Sequence, residues 1–118
     1  MTNQELRELD DWIAINVMGL KFNGHHWVLK SDENLCAKLG GHCPEYTTDP
    51  AAAMAVLEKC AATNAAGKTI TIVIFSELEH GRFGVGCEAA YEKDEIDPQF
   101  ATTLPLAICL FARKLFEK

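Results

Sequence analysis

The sequence lacks the features that mark a membrane protein or a secreted protein. No stretch approaches the roughly 20 consecutive apolar residues that a transmembrane helix needs. The chain begins with MTNQELRELDDW, which is polar and acidic, whereas a signal peptide begins basic and continues apolar. We therefore expect a cytoplasmic protein that has no membrane partner.

Positive charge is scarce as well. The chain has 11 Lys and Arg against 17 Asp and Glu, which gives a net charge of -6 at pH 7. Binding to a phosphate backbone depends on cationic side chains, so this balance opposes it. We expect that duplex nucleic acid is not a partner.

The five cysteines follow no pattern typical of a disulfide framework or a zinc site. Their number is odd, and no two of them are separated by two residues. Because thiols stay reduced in the cytoplasm, we expect all five to be free. Cys60 and Cys109 fall among apolar helical positions, which predicts that they are core residues. No cofactor is expected.

What the chain contains is typical of one soluble domain covering residues 1 to 118. Its composition is 48% hydrophobic and 24% charged. Thr2 and Glu5 have capping-box spacing before an amphipathic helix, and Asp49 before Pro50 predicts a second helix that runs to about residue 64. Thr103 precedes a third helix with a broad apolar stripe.

Between the helices, the pattern predicts antiparallel strands. Asn23 and Gly24 form a typical hairpin turn beside the strand HHWVLK. The segment TITIVIFS is apolar on both faces, which predicts a central strand, and RFGVGCEA returns beside it. Residues 31 to 46 are expected to form a loop with one helical turn at about 34 to 39. We predict an α/β fold, a single-domain α/β/α sandwich with a small, largely antiparallel sheet and three main helices.

Three segments resemble, in chain order, the signatures of the phage ABA sandwich domain family of small bacteriophage and prophage proteins. They are ELDDWIAINVMGL, PEYTTDPAAAMAVLEK and TTLPLAICLFARK. The resemblance spans nearly the whole chain, and it implies the same α/β/α sandwich. Members of the family mostly lack an assigned activity, so the resemblance implies no catalytic residues.

The segment PEYTTDP offers two interpretations. The first is a ligand-binding rim formed by Tyr46, Thr47 and Thr48 at a helix N-terminus, where free amides attract anions. The second is plain helix capping, because the Asp49 carboxylate already occupies those amides and Pro50 removes one donor. The sequence favours capping and leaves the rim open.

Further ligand-binding candidates are aromatic or cationic side chains near the predicted hairpins. Trp27, His26 and Arg82 are of this kind. Gly84 and Gly86 are expected to leave room for a ligand to approach the strand closely.

The candidates for metal binding or catalysis are weak, since none shows the spacing typical of a zinc site and a Cys/His pair requires contact at about 3 Å. An acidic run at residues 92 to 97 lacks the glycine and terminal glutamate of a calcium loop. The zinc candidates are His25, Cys36, His42 and Cys43, and the nucleophile candidates are Cys43 or Cys87 with His80.

The third helix carries apolar residues around more than half of its circumference. Such an excess predicts contact with another subunit, most simply in a symmetric dimer. The interface residues expected on this helix are Leu106, Leu110, Phe111 and Phe116.

Three classes of function remain open. The leading hypothesis is a phage accessory protein that acts by non-catalytic binding and antagonises host defence, either by engaging a host protein or by sequestering a small nucleotide. The alternatives are a small cysteine- or metal-dependent enzyme and a structural or assembly component of the phage particle.

Overall fold

The computed structural model describes residues 2 to 22, 27 to 29, 32 to 36, 44 to 62, 71 to 88 and 98 to 117. These residues form three helices and two three-stranded antiparallel sheets. The predicted α/β class with three helices and antiparallel strands is confirmed, and the strands divide between two sheets. In the described part of the chain, no helix is both long and apolar enough to cross a membrane.

Helix α1, Asn3–Asn16, begins at the predicted capping box. The Thr2 hydroxyl accepts a hydrogen bond from the Glu5 amide at 3.1 Å, and the Glu5 carboxylate accepts one from the Thr2 amide at 3.3 Å. Gly19 follows the helix with a φ of 71°, in the left-handed region that glycine adopts without a steric cost. The chain can therefore turn directly into the first strand.

The first sheet contains β1 (Leu20–Phe22), β2 (Trp27–Leu29) and β3 (Asp32–Cys36) in that order. Phe22 lies opposite Trp27, so the two strands expected around Asn23-Gly24 do pair. The loop predicted for residues 31 to 46 is wrong at residues 32 to 36, which form β3, and the helical turn predicted at about 34 to 39 is wrong at residues 34 to 36. Pairing with β2 stabilises this strand. The prediction failed because the local sequence does not reveal contacts with other segments of the chain.

Helix α2, Pro50–Ala62, begins where Asp49 and Pro50 predict. The Asp49 carboxylate accepts a hydrogen bond from the Ala51 amide at 3.0 Å. The buried face consists of Ala53, Val56 and Cys60. Met54 is apolar as well, and it is 47% exposed. Apolar residues lie around most of the circumference of α2, so its periodicity does not single out a buried face. Packing against the third helix helps to select that face.

Removing the Asp49 cap is expected to lower the free energy of unfolding by about 1 kcal/mol. The Asp49→Ala variant leaves the Ala51 amide without its side-chain acceptor. Urea denaturation of Asp49→Ala measures the loss, and Thr48→Ala, at an exposed neighbouring position, is the matched control with an expected change near zero. Equal losses in the two variants would contradict the capping role.

The second sheet contains β4 (Thr71–Glu77), β5 (Arg82–Glu88) and β6 (Gln99–Ala101), with β5 in the centre. A short 3-10 turn, Leu78–His80, connects β4 to β5 and confirms the predicted hairpin. The central position predicted for TITIVIFS is wrong, because its described part, β4, lies at the edge of this sheet. Ile74 is 46% exposed and Phe75 is 41% exposed. Apolar side chains on both faces do not reveal how many strands lie beside a given strand.

Helix α3, Leu104–Phe116, packs against β5, β6 and the other two helices. Phe111, which was expected to contact another subunit, is fully buried in the core of the single chain. It is therefore not accessible to another subunit. Leu106, Leu110 and Phe116 are partly buried against the same core. The broad apolar stripe of α3 therefore serves largely to pack the helix between several neighbours.

Candidate binding site

The outer face of the second sheet carries an exposed aromatic cluster. Residues directly opposite each other on paired strands project from the same face. Phe75 on β4 and Phe100 on β6 both lie opposite Gly84 on β5. The neighbouring Val85 is fully buried on the other face, which packs against α3. We define the aromatic patch as five residues of the outer face: Val73, Phe75, Arg82, Pro98 and Phe100.

Two glycines of β5 let the patch lie close to the backbone. A Cβ atom on Gly84 would be 2.5 Å from the Phe100 ring, and one on Gly86 would be 3.2 Å from Pro98 and 3.4 Å from Phe75. The space that the sequence predicted for a ligand above these glycines is therefore filled by the chain's own side chains. The glycines have a different role: their missing side chains allow Phe75 and Phe100 to pack against the backbone of β5.

Arg82 is held in place at the end of the patch. Its guanidinium carbon lies 4.3 Å from the centroid of the Phe100 ring, within the range of a cation–π interaction. Its Nε donates a hydrogen bond to the Glu77 carboxylate at 2.8 Å. The ring and the carboxylate together restrict a side chain that would otherwise lose much entropy on binding a partner.

The patch remains accessible in this structure. Phe75, Arg82 and Pro98 are exposed, while Val73 and Phe100 are partly exposed. Contiguous apolar surface on a soluble protein is typical of an interaction site. The arrangement can accept an apolar or aromatic group, with Arg82 at one end.

The rim predicted at Tyr46 and Thr47 is not open, because both side chains are buried. Residues 46 to 48 form a turn in which the Thr48 amide donates a hydrogen bond to the Glu45 carbonyl at 3.2 Å. Thr48 alone of the three candidates is exposed. The Thr47 amide donates a buried hydrogen bond to the Asp10 carboxylate at 2.8 Å. This segment therefore anchors the start of α2 to α1.

Asp10 is the buried carboxylate of this anchor, with only 6% of its surface exposed. Burial raises the pKa of Asp10 above its usual value, although the hydrogen bond from the Thr47 amide opposes this and the charges of Asp11 and Glu45 add to it. The Thr47 side chain lies near this carboxylate, and its buried hydroxyl has no hydrogen-bond partner among the described residues. Because Asp10 is covered by the turn, it holds the fold together and is closed to a substrate.

The two cysteines whose side chains the structure describes cannot act as nucleophiles at neutral pH. Cys60 and Cys109 are free and fully buried. Burial raises the pKa of Cys60 to about 12 and raises that of Cys109 as well. The reactive form is the thiolate, so both thiols are inert in the folded protein.

Among the described residues, the structure does not bring the remaining candidates together. Trp27 is buried in the first sheet, with its ring centroid 5.6 Å from that of Phe22, whereas Arg82 lies in the second sheet. Within the described ranges, no group of three or more His, Cys, Asp or Glu residues could hold a metal ion. Cys36 ends β3 and His80 is exposed at the turn before β5. Four candidates lie outside the described residues: His25, His26, His42 and Cys43.

Sequence reasoning found Arg82 but missed the rings beside it. Phe75 was assigned to a covered strand, and Phe100 follows an acidic segment without a recognisable strand pattern. A signal was present in RFGVG, because glycines on one face of a strand leave space for large side chains on its neighbours. Comparison with known proteins gives no relative from which a site could be transferred: no protein-family model, no curated protein and no solved structure matches this chain.

Proposed function

We propose that this protein acts by non-catalytic binding and that the aromatic patch engages a partner protein. The observation that carries the proposal is the pair of rings, Phe75 and Phe100, on an accessible sheet face where Arg82 contacts Phe100. Aromatic residues and arginine are the types that contribute most to binding energy at protein interfaces. The resemblance to phage ABA sandwich domains suggests that the partner is a host protein and that binding antagonises host defence.

A small nucleotide is the second candidate for the same surface. A base can stack on an exposed ring, and Arg82 offers a cation beside it. The Glu77 carboxylate, however, lies 2.8 Å from Arg82 and offsets the charge that a phosphate requires. The net charge of -6 opposes anion binding as well. These charges favour a protein partner.

The acting species in this proposal is a homo-oligomer. Leu106, Leu110 and Phe116 on α3 keep part of their apolar surface exposed, and β4 exposes Ile74 and Phe75. Apolar side chains that a single chain leaves exposed can be covered by a second copy. Both surfaces are retained in the proposal, whereas Phe111 belongs to the core.

Site-specific photo-crosslinking in a bacterial host tests the partner. A photoreactive phenylalanine analogue replaces Phe75 in one protein and the equally exposed Met54 in the control. We expect one host protein to be crosslinked from position 75 and not from position 54. The purified partner is then expected to bind Phe75→Ala and Arg82→Ala about tenfold more weakly than wild type.

Native mass spectrometry of the purified protein separates the alternatives. If wild type retained a nucleotide and Arg82→Ala did not, the aromatic patch would be a nucleotide-binding site and nucleotide sequestration would be favoured. Crosslinks from position 75 to particle proteins alone would favour the assembly role. Identical crosslinks from positions 75 and 54, with unchanged affinity in both alanine variants, would overturn the proposed binding surface.

A further inference from the structure

Judged from the residues that the structure describes, the outer edge of β4 from Thr71 to Ser76 lacks the charges, prolines and bulges that normally protect a sheet edge. Among the described strands, β4 lies beside β5 alone. All seven of its residues pair in continuous register with β5, so no bulge bends this strand away. From Thr71 to Ser76 it contains neither a charged residue nor a proline. Natural edges usually carry lysine, proline or a bulge, because an unprotected edge pairs with another strand.

We infer that β4 pairs in antiparallel orientation with β4 of a second copy, which joins the two second sheets into one continuous sheet of six strands. The two-fold axis passes at Ile74, the middle residue of Thr71–Glu77. Ile74 then faces Ile74 of the other copy, and Val73 faces Phe75. This register pairs apolar side chains throughout the centre of the strand.

Charge is compatible with this self-pairing. The single charged residue of β4 is Glu77, at its end. In the register centred on Ile74, Glu77 faces Thr71 of the other copy, so the two carboxylates stay apart. Like charges that face each other directly across strands are destabilising, and this register avoids them. A second copy therefore fits the edge without a complementary charge.

The pairing explains why two large apolar residues of β4, Ile74 and Phe75, are exposed in the single chain. Ile74 lies opposite Val85 and so projects from the face that packs on α3, whereas Phe75 projects from the outer face. A neighbouring strand covers side chains on both faces at once, which no ligand on one face can do. Pairing also places the aromatic patches of the two copies next to each other on one surface. The inference stands on the edge alone, whether or not the patch binds a host protein.

A charge-complementation experiment tests the register. Sedimentation velocity compares wild type with Ile74→Lys and Ile74→Glu, and Met54→Lys is the control at an equally exposed position on α2. We expect wild type and the control to dimerise at tens of micromolar. Each Ile74 variant places like charges on the axis and is expected to dimerise about tenfold or more weakly.

Mixing the two charged variants gives the decisive result. Equimolar Ile74→Lys and Ile74→Glu are expected to form a mixed dimer, because opposite charges then meet at the axis. Circular dichroism checks that each variant is folded. A monomeric wild type, or dimers that persist in both variants, would overturn the inference, and dissociation by Phe116→Lys alone would assign the interface to α3. Dissociation of both charged variants without a mixed dimer would overturn the register at Ile74.

Discussion

Replacing Phe111 with alanine is expected to lower the free energy of unfolding by about 3 to 5 kcal/mol, the usual cost of deleting a buried aromatic ring. Phe111 has the largest fully buried side chain of the described residues, and it lies in the core cluster with Ile108 and Val85. The close-packed surroundings can collapse only partly into the space left by the ring. Equilibrium denaturation in urea measures the loss.

Phe116 provides the matched comparison for Phe111, since both are phenylalanines of α3 and only Phe116 keeps part of its side chain exposed. Phe116→Ala is expected to lose clearly less stability than Phe111→Ala. Sedimentation of Phe111→Ala at temperatures where it stays folded is expected to show the oligomeric state of wild type. If Phe111→Ala kept the stability of wild type but no longer formed the oligomer, Phe111 would be an interface residue and not a core residue.

Replacing Asp10 with alanine is expected to lower the free energy of unfolding by about 1 to 3 kcal/mol, the cost of leaving a buried amide unsatisfied. The amide concerned is that of Thr47, which donates to the Asp10 carboxylate at 2.8 Å. Denaturation in urea measures the global loss. Hydrogen exchange is expected to show the Thr47 amide losing its protection, because this bond attaches the turn at 46 to 48 to α1.

The charge of Asp10 adds a dependence on pH whose sign follows from its environment. Burial raises the pKa of the folded carboxyl, so the folded state holds the proton more tightly than the unfolded state. This contribution to stability is fully present below the unfolded pKa of about 4, and it is lost as pH rises through the higher folded value. The stability of wild type relative to an uncharged variant should therefore fall as pH rises above about 4.

Asp10→Asn is the uncharged variant for that measurement. Its side-chain oxygen can still accept from the Thr47 amide, and its NH₂ group can donate to the Thr47 hydroxyl, which has no partner among the described residues. We expect Asp10→Asn to equal or exceed the stability of wild type at pH 7. A difference between wild type and Asp10→Asn that is constant between pH 3 and 7, roughly the range around a carboxyl pKa, would contradict this account.

The residues proposed for binding are separate from those that stabilise the fold. Asp10 and Phe111 lie in the interior that holds the elements together, whereas the aromatic patch and the edge of β4 lie at the surface. Substitutions at Phe75 or Ile74 are therefore expected to change binding or assembly with little loss of stability. The proposals for the core, the aromatic patch and the edge of β4 can therefore be tested independently of one another.

The sequence by itself determined the features that depend on a few neighbouring residues. The capping box at Thr2 and Glu5 and the Asp49 cap before Pro50 appear where their spacing predicts them. The hairpin of β4 and β5 turns at Leu78–His80 and Gly81, between the segments TITIVIFS and RFGVGCEA that predict it. These features are local because a cap or a turn satisfies backbone groups within three or four residues of itself. The α/β class follows from the order of such elements.

Only the tertiary structure decided which apolar residues are buried and which strands are neighbours. Met54 and Val56 are both apolar, and the packing of α2 against α3 exposes the first and buries the second. The local pattern of β4 predicts a central strand, yet β4 lies at an edge of its sheet. The prediction fails because a local pattern does not show how many strands lie beside a given strand. The aromatic patch combines residues 75, 82 and 100, which cross-strand pairing alone brings together. Burial and pairing depend on contacts between distant segments, so the local sequence leaves them open.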